Sequence, residues 1–262
     1  MVITAILKAI FRARHGKRLG VAADGEGIGL VVVVDGVGGL DLCGAGLCLE
    51  VARADLPLGV RVICWGHGLG HWHADLTRVE NHAAWASTIV EQIQEFRARR
   101  PKAPVFLVGK SGGTGVVVRV LEALPAESIE RVVLLASALS PTYDLTKALC
   151  AVRQEMVVFW SPLDLIVLGL GTRIFGTIDR VHSVSAGLVG FRPPPEADYA
   201  KLRQVRWHPD MAPTGNLGGH VGPDNPAFLR KYVIPLLRVG SVAESSEGPE
   251  PASSPADAAP IT

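Results

Sequence analysis

Three residues of chemically useful type stand in a useful order along the chain: Ser111 in Gly109-Lys110-Ser111-Gly112-Gly113, Asp164 in Ser161-Pro162-Leu163-Asp164, and His220 in Gly218-Gly219-His220-Val221-Gly222. A hydroxyl, an imidazole and a carboxylate suit acyl transfer. The imidazole takes the hydroxyl proton during attack, and the carboxylate holds the ring in the tautomer that can do so. The serine also has the right surroundings. Residues 105–118 read VFLVGKSGGTGVVV, an apolar strand, then G-x-S-x-G, then an apolar stretch of helical length. A serine on so tight a strand-to-helix turn is pushed out above the sheet, and only small neighbours fit the close backbone approach.

Each role has rivals in the sequence. Asp164 sits among apolar residues and is the expected acid, with Asp144 in reserve, Asp179 behind it, and helix capping as the plain reading of Asp164. His208 and His182 are alternatives to His220. Acyl transfer also needs two preorganised donors for the developing oxyanion. The expected ones are the backbone N–H groups of Gly112, which follows the serine, and of Val37 in the turn Asp35-Gly36-Val37-Gly38-Gly39.

Other motifs compete less well. Gly109-Lys110-Ser111 looks like the end of a phosphate-binding loop, but that loop needs a glycine where Pro104 stands, and residues 105–108 read as strand. The segment 66–73, GHGLGHWH, invites a metal reading, yet zinc wants three or four converging ligands with supporting partners, and no nearby cysteine or glutamate supplies them. No metal site is expected. His67 and Trp72 are instead expected beside a substrate pocket. Lys110 either favours an anionic substrate there or faces solvent.

These residues must be held by a scaffold. Short β-branched runs at 30–34, 60–65, 105–108, 131–136, 156–160 and 202–207 alternate with helical stretches near 41–54, 81–100, 112–124, 142–153 and 226–237. Such alternation predicts an α/β fold with a mostly parallel sheet and helices on both faces. Each run ends in a loop holding Gly, Ser, Asp or His, and the carboxyl ends of such strands are where sites form.

Composition agrees with one large folded domain. Hydrophobic residues make up 48% of the 262 and charged residues 19%, unlike a disordered chain. The net charge of +1, from 26 basic and 25 acidic residues, gives no reason to expect nucleic acid. Four scattered cysteines read as free thiols, hence a reducing, cytoplasmic setting. Residues 1–20 combine apolar residues at helical spacing with a basic stretch. They read as an amphipathic helix on the domain, or alternatively one that makes peripheral contact with a membrane. Residues 21–239 form the domain. Residues 240–262, rich in Pro, Ser, Ala and Glu, read as a disordered tail.

With the glycine-flanked serine, the later acid and the histidine ahead of the last helix in place, residues 30–237 resemble the α/β-hydrolase superfamily, especially its esterase- and lipase-like members. The resemblance implies a Ser111, Asp164, His220 triad and an oxyanion turn at Gly36-Val37. It implies a serine hydrolase that cleaves a carboxylic ester or thioester of a small acyl substrate, without a cofactor. A catalytically silent binding protein of the same fold is the alternative. No large cap domain is expected between the strands near 131 and 156. Residues 165–200 are the candidate lid or pocket wall.

Overall fold

A computed structural model describes residues 29–68 and 70–238. The expected N-terminal helix over 1–20 and the tail over 240–262 lie outside the described residues.

Six parallel strands form one sheet in the order β2-β1-β3-β4-β5-β6. They are β1 (Gly29–Val34), β2 (Leu58–Ile63), β3 (Val105–Lys110), β4 (Ile129–Leu135), β5 (Val152–Trp160) and β6 (Leu202–Arg206). Every residue of β1, β3 and β4 is buried, which explains why these strands read as unbroken apolar runs rather than alternating ones. Alternate residues feed two cores. Val32, Val34 and Leu107 pack on one face with Ile89, Ile93, Val117 and Leu121. Val31, Val33, Phe106 and Val108 pack on the other with Leu47, Phe228 and Leu229.

The helices are α1 (Leu42–Arg53), α2 (Trp72–Thr77), α3 (Val79–Arg99), α4 (Gly113–Ala123), α5 (Thr146–Cys150), α6 (Thr172–Phe175), α7 (Ala186–Val189) and α8 (Pro226–Phe228). Two differ from expectation. The helix expected over 142–153 shrinks to α5, because residues 152–155 open β5, where Val152 pairs with Ile129. The last helix is three turns of different pitch: α8, a π-helical Leu229–Val233 and a 3₁₀ Ile234–Leu237 with Pro235 inside it. No helix among the described residues is long and apolar enough to cross a membrane.

The strand order places the site. From β1 the chain steps out to β2 on one side, then returns to β3 on the other and continues outward to β6. The connections leaving β1 and β3 therefore diverge and open a crevice at their carboxyl ends. Val37 follows β1, and Ser111 follows β3.

Candidate active site

Ser111 stands between β3 and α4 with φ of 51°, a left-handed conformation that L-residues rarely hold. Hydrogen bonds to both of its backbone groups hold it there. The Ser111 N–H donates to Leu135 O, and its own carbonyl accepts from the Thr114 N–H and from Thr114 Oγ1 at 2.6 Å. The flanking glycines are steric necessities: a Cβ on Gly113 would lie 2.2 Å from Val34 O, and one on Gly109 would lie 3.0 Å from Thr114 Cα.

Above the serine the three distant side chains meet. His220 Nε2 is 2.9 Å from Ser111 Oγ, and His220 Nδ1 is 2.6 Å from Asp164 Oδ2. An acceptor-only carboxylate fixes the proton on Nδ1, leaving Nε2 free to accept from the hydroxyl. Burial holds the His220 imidazole below the usual histidine range; Lys110 pushes the same way, and Asp164 and Asp224 oppose them. Asp164 is buried and makes no side-chain cap to the π-helical Leu165–Gly171 that it precedes.

The rival acids and bases are engaged elsewhere. Asp144 accepts from the Thr146 N–H and hydroxyl and from the Tyr199 hydroxyl, and Asp179 accepts from Ser140. His208 lies 3.4 Å from Asp210, and His182 contacts Arg173 O.

The turn carrying Val37 is anchored at three points. Asp35 accepts from the N–H groups of Cys43 and Gly44 at the start of α1, and its carbonyl accepts from Trp65 Nε1. The Gly38 N–H donates to Asp75 Oδ2 at 2.8 Å. Val37 packs directly over Gly112, where a Cβ would come within 2.8 Å of Val37 Cγ1, and a Cβ on Gly36 would lie 3.2 Å from Ser111 Cβ. Gly112 is the N-cap residue immediately before α4, so its N–H stands at the helix end whose amides lack intrahelical partners.

The remaining expected pocket residues fall differently. His67 is exposed, yet both its backbone N–H and Nδ1 reach the buried Asp75 Oδ1, at 2.8 and 2.6 Å. Trp72 begins α2 and meets the Phe175 ring edge-on at 5.0 Å. His67, His71 and His73 do not converge on one point. Lys110 does not face solvent: it is buried, and its Nζ lies 3.5 Å from Asp224 Oδ2.

Asp75 and Asp224 escaped the sequence reading. Asp75 is wholly buried, and a carboxylate in a short amphipathic stretch gave only the weak signal of facing inward. Asp224 carried none.

Apolar side chains surround this end of the sheet. Leu163, Leu165, Ile166, Leu170 and Ile174 are exposed along the connection after β5. A groove of about 530 Å³ runs between α1 and the histidine loop, lined by Leu42, Leu49, Leu217 and Val221 among others.

A parallel sheet in this order, with a left-handed serine on the turn leaving its central strand, is the α/β-hydrolase fold. No family model matches the sequence, and no curated protein matches it. Among solved structures, the chain is similar to a predicted CIB-like hydrolase from Thermoplasma acidophilum, at 15% identity over 80% of this chain and 86% of that one, with a TM-score of 0.42. It is similar to esterase PE8 at 18% identity, over 79% and 93% with a TM-score of 0.40. It is also similar to LpqC, a poly(3-hydroxybutyrate) depolymerase from Bordetella parapertussis, at 16% identity over 74% and 75%, with a TM-score of 0.45.

Proposed function

We propose that the protein is a serine hydrolase that cleaves a carboxylic ester or thioester through an acyl-enzyme. The observation that carries this reading is the continuous hydrogen-bonded path from Ser111 Oγ through His220 to Asp164. Ser111 Oγ attacks the carbonyl carbon while its proton passes to His220 Nε2. The oxyanion takes hydrogen bonds from the Gly112 and Val37 N–H groups, each donor being worth about 2.7 to 4 kcal/mol of barrier. His220 then gives the proton to the leaving oxygen or sulfur, and the bond to the acyl group breaks. Water, deprotonated by the same imidazole, attacks the Ser111 ester and releases the acid. No step calls for a cofactor.

The surroundings support an apolar portion in the substrate. An ester with an apolar portion suits the groove lined by Leu42, Leu49 and Leu217, since such concave apolar walls bury a ligand's hydrocarbon.

A fluorophosphonate probe tests the reading. Wild-type protein is expected to label on Ser111 and to hydrolyse p-nitrophenyl esters, with both lost in Ser111→Ala. Folded wild type that neither labels nor turns over would mark the fold as a binding protein instead.

A further inference from the structure

Behind the Ser111–His220 pair lies a second polar cluster that the acyl-transfer cycle does not use. Lys110, the last residue of β3, is 4% exposed at its side chain, and its Nζ lies 3.5 Å from Asp224 Oδ2. Asp224 ends the 3₁₀ turn Gly222–Asp224, four residues past His220. Asp35, at the foot of the Val37 turn, is buried beside them. Asp35, Cys43 and Asp224 bring ligand-type atoms within 4.8 Å of one another.

Two carboxylates and a thiol have the composition of a cation site. The Lys110 ammonium already supplies the counter-charge: it acts on Asp35, Cys43 and Asp224 alike, against the burial that raises all three. A charge pair so placed spans the two halves of the site. Lys110 belongs to the strand that presents the nucleophile, and Asp224 to the loop that presents the base.

We propose that Lys110 and Asp224 are positioning residues for His220: their buried ion pair fastens the histidine loop to the nucleophile strand and holds two opposite charges at the catalytic end of the sheet. The proposal rests on the acyl-transfer reading for its catalytic consequence. Four groups act on the imidazole, two by direct hydrogen bonds and two through their charges. Ser111 and Lys110 come from the end of β3, Asp164 from the loop after β5, and Asp224 from the turn following His220 itself. Lys110 disfavours the imidazolium, while Asp164 and Asp224 favour it. Removing the Asp224 charge therefore leaves Lys110 unopposed on that side. A pair that served packing alone would leave the titration of His220 where it is.

The test uses the full chain. NMR follows the His220 ring across the acid range, assigned by loss of its signal in His220→Gln, beside kcat and KM for p-nitrophenyl acetate at each pH. In the near-isosteric Asp224→Asn, the imidazole midpoint and the acid limb of kcat are expected to move to lower pH. At the plateau kcat should fall roughly ten- to a hundredfold, the scale of a misplacement of about 1 Å, with KM little changed. In Lys110→Met/Asp224→Asn, which removes both charges, the midpoint should move back up while kcat stays low because the tie is gone. A midpoint that stays put in folded Asp224→Asn protein, or an unchanged kcat, overturns the proposal. If wild type takes no fluorophosphonate and cleaves no ester, the acyl-transfer reading falls, and the NMR midpoints still decide the charge effect alone.

Discussion

Asp75 holds the N–H of Gly38 at 2.8 Å, and through its other oxygen it holds His67, so one buried carboxylate joins the turn after β1 to the turn after β2. The first of these turns carries Val37. A donor N–H stabilises an oxyanion only if it points correctly before charge develops, because reorienting it during the reaction would consume the gain. Asp75 is thus expected to matter for rate through geometry.

Asp75→Asn replaces one acceptor oxygen by an amide that cannot accept, so either Gly38 or His67 loses its partner. Leaving a buried donor unpaired costs about 1 to 3 kcal/mol. Urea unfolding should show a loss in that range. Turnover of a p-nitrophenyl ester should fall tenfold or more in kcat with KM nearly constant. A variant as active as wild type would show that the turn holds itself in place.

Gly113 offers a harsher test of the elbow. A Cβ there would sit 2.2 Å from Val34 O and 2.3 Å from Asp35 O, both main-chain atoms with no room to retreat. Gly113→Ala should therefore cost more than 3 kcal/mol, beyond the usual range for a point substitution, and yield insoluble or inactive protein. Gly38→Ala is a useful contrast. Nothing lies within 4 Å of a Cβ at Gly38, so its cost should come only from its φ of 86°.

The pH dependence follows from the burial of His220. The neutral imidazole is the form that accepts the Ser111 proton, and burial followed by Lys110 holds its folded pKa below the ordinary 6.5. Activity should therefore persist below pH 6.5 before falling on the acid side. The linked effect on stability has a definite sign: below pH 6.5 the unfolded chain binds a proton at this histidine that the folded chain refuses. The His220 contribution to stability is complete above the unfolded pKa and declines as pH falls towards the folded one. The acid limb is read from the wild-type kcat profile, and His220→Gln, which should abolish turnover, should also remove this part of the acid-side loss of stability, as read by denaturant midpoints at several pH values.

The parts that could be read from sequence are those in which local pattern and final environment agree. β1, β3 and β4 are buried on both faces, so their apolar runs have no competing interpretation. Ser111, Asp164 and His220 each sit in a loop whose glycine or proline content marks it as a turn at a strand end, and the structure brings these three together. The misreadings arise where the decisive partner is far away in sequence. A lysine at the end of a strand looks solvated until Asp224 is placed beside it. Residues 153–155 are polar and only partly covered, which hid the first half of β5 behind an apparent helix. The partner of the histidine-rich segment was equally hidden: His67 pairs with Asp75, eight residues on, and the buried His82 contacts Asp75 O and the edge of Trp65.

The groove between α1 and the histidine loop leads to the last prediction. Leu42 and Leu217 are 46% and 71% exposed and line it together, so each has apolar area that a ligand could cover. Covering such area is worth about 25 cal/mol per Å², or about 1 to 2 kcal/mol for the two side chains combined. Leu42→Ser/Leu217→Ser should therefore lower kcat/KM for long-chain p-nitrophenyl esters by a factor of roughly five to thirty. Hydrolysis of the acetate ester, too short to reach the groove wall, should stay within about twofold, since exposed substitutions change stability by about 0.5 kcal/mol or less. A parallel Ile166→Ser/Ile174→Ser variant, altering the exposed apolar connection after β5, serves as the comparison. Equal losses on long and short esters in the groove variant would mean that the hydrocarbon lies elsewhere, and a selective loss in the comparison variant would place it against that connection.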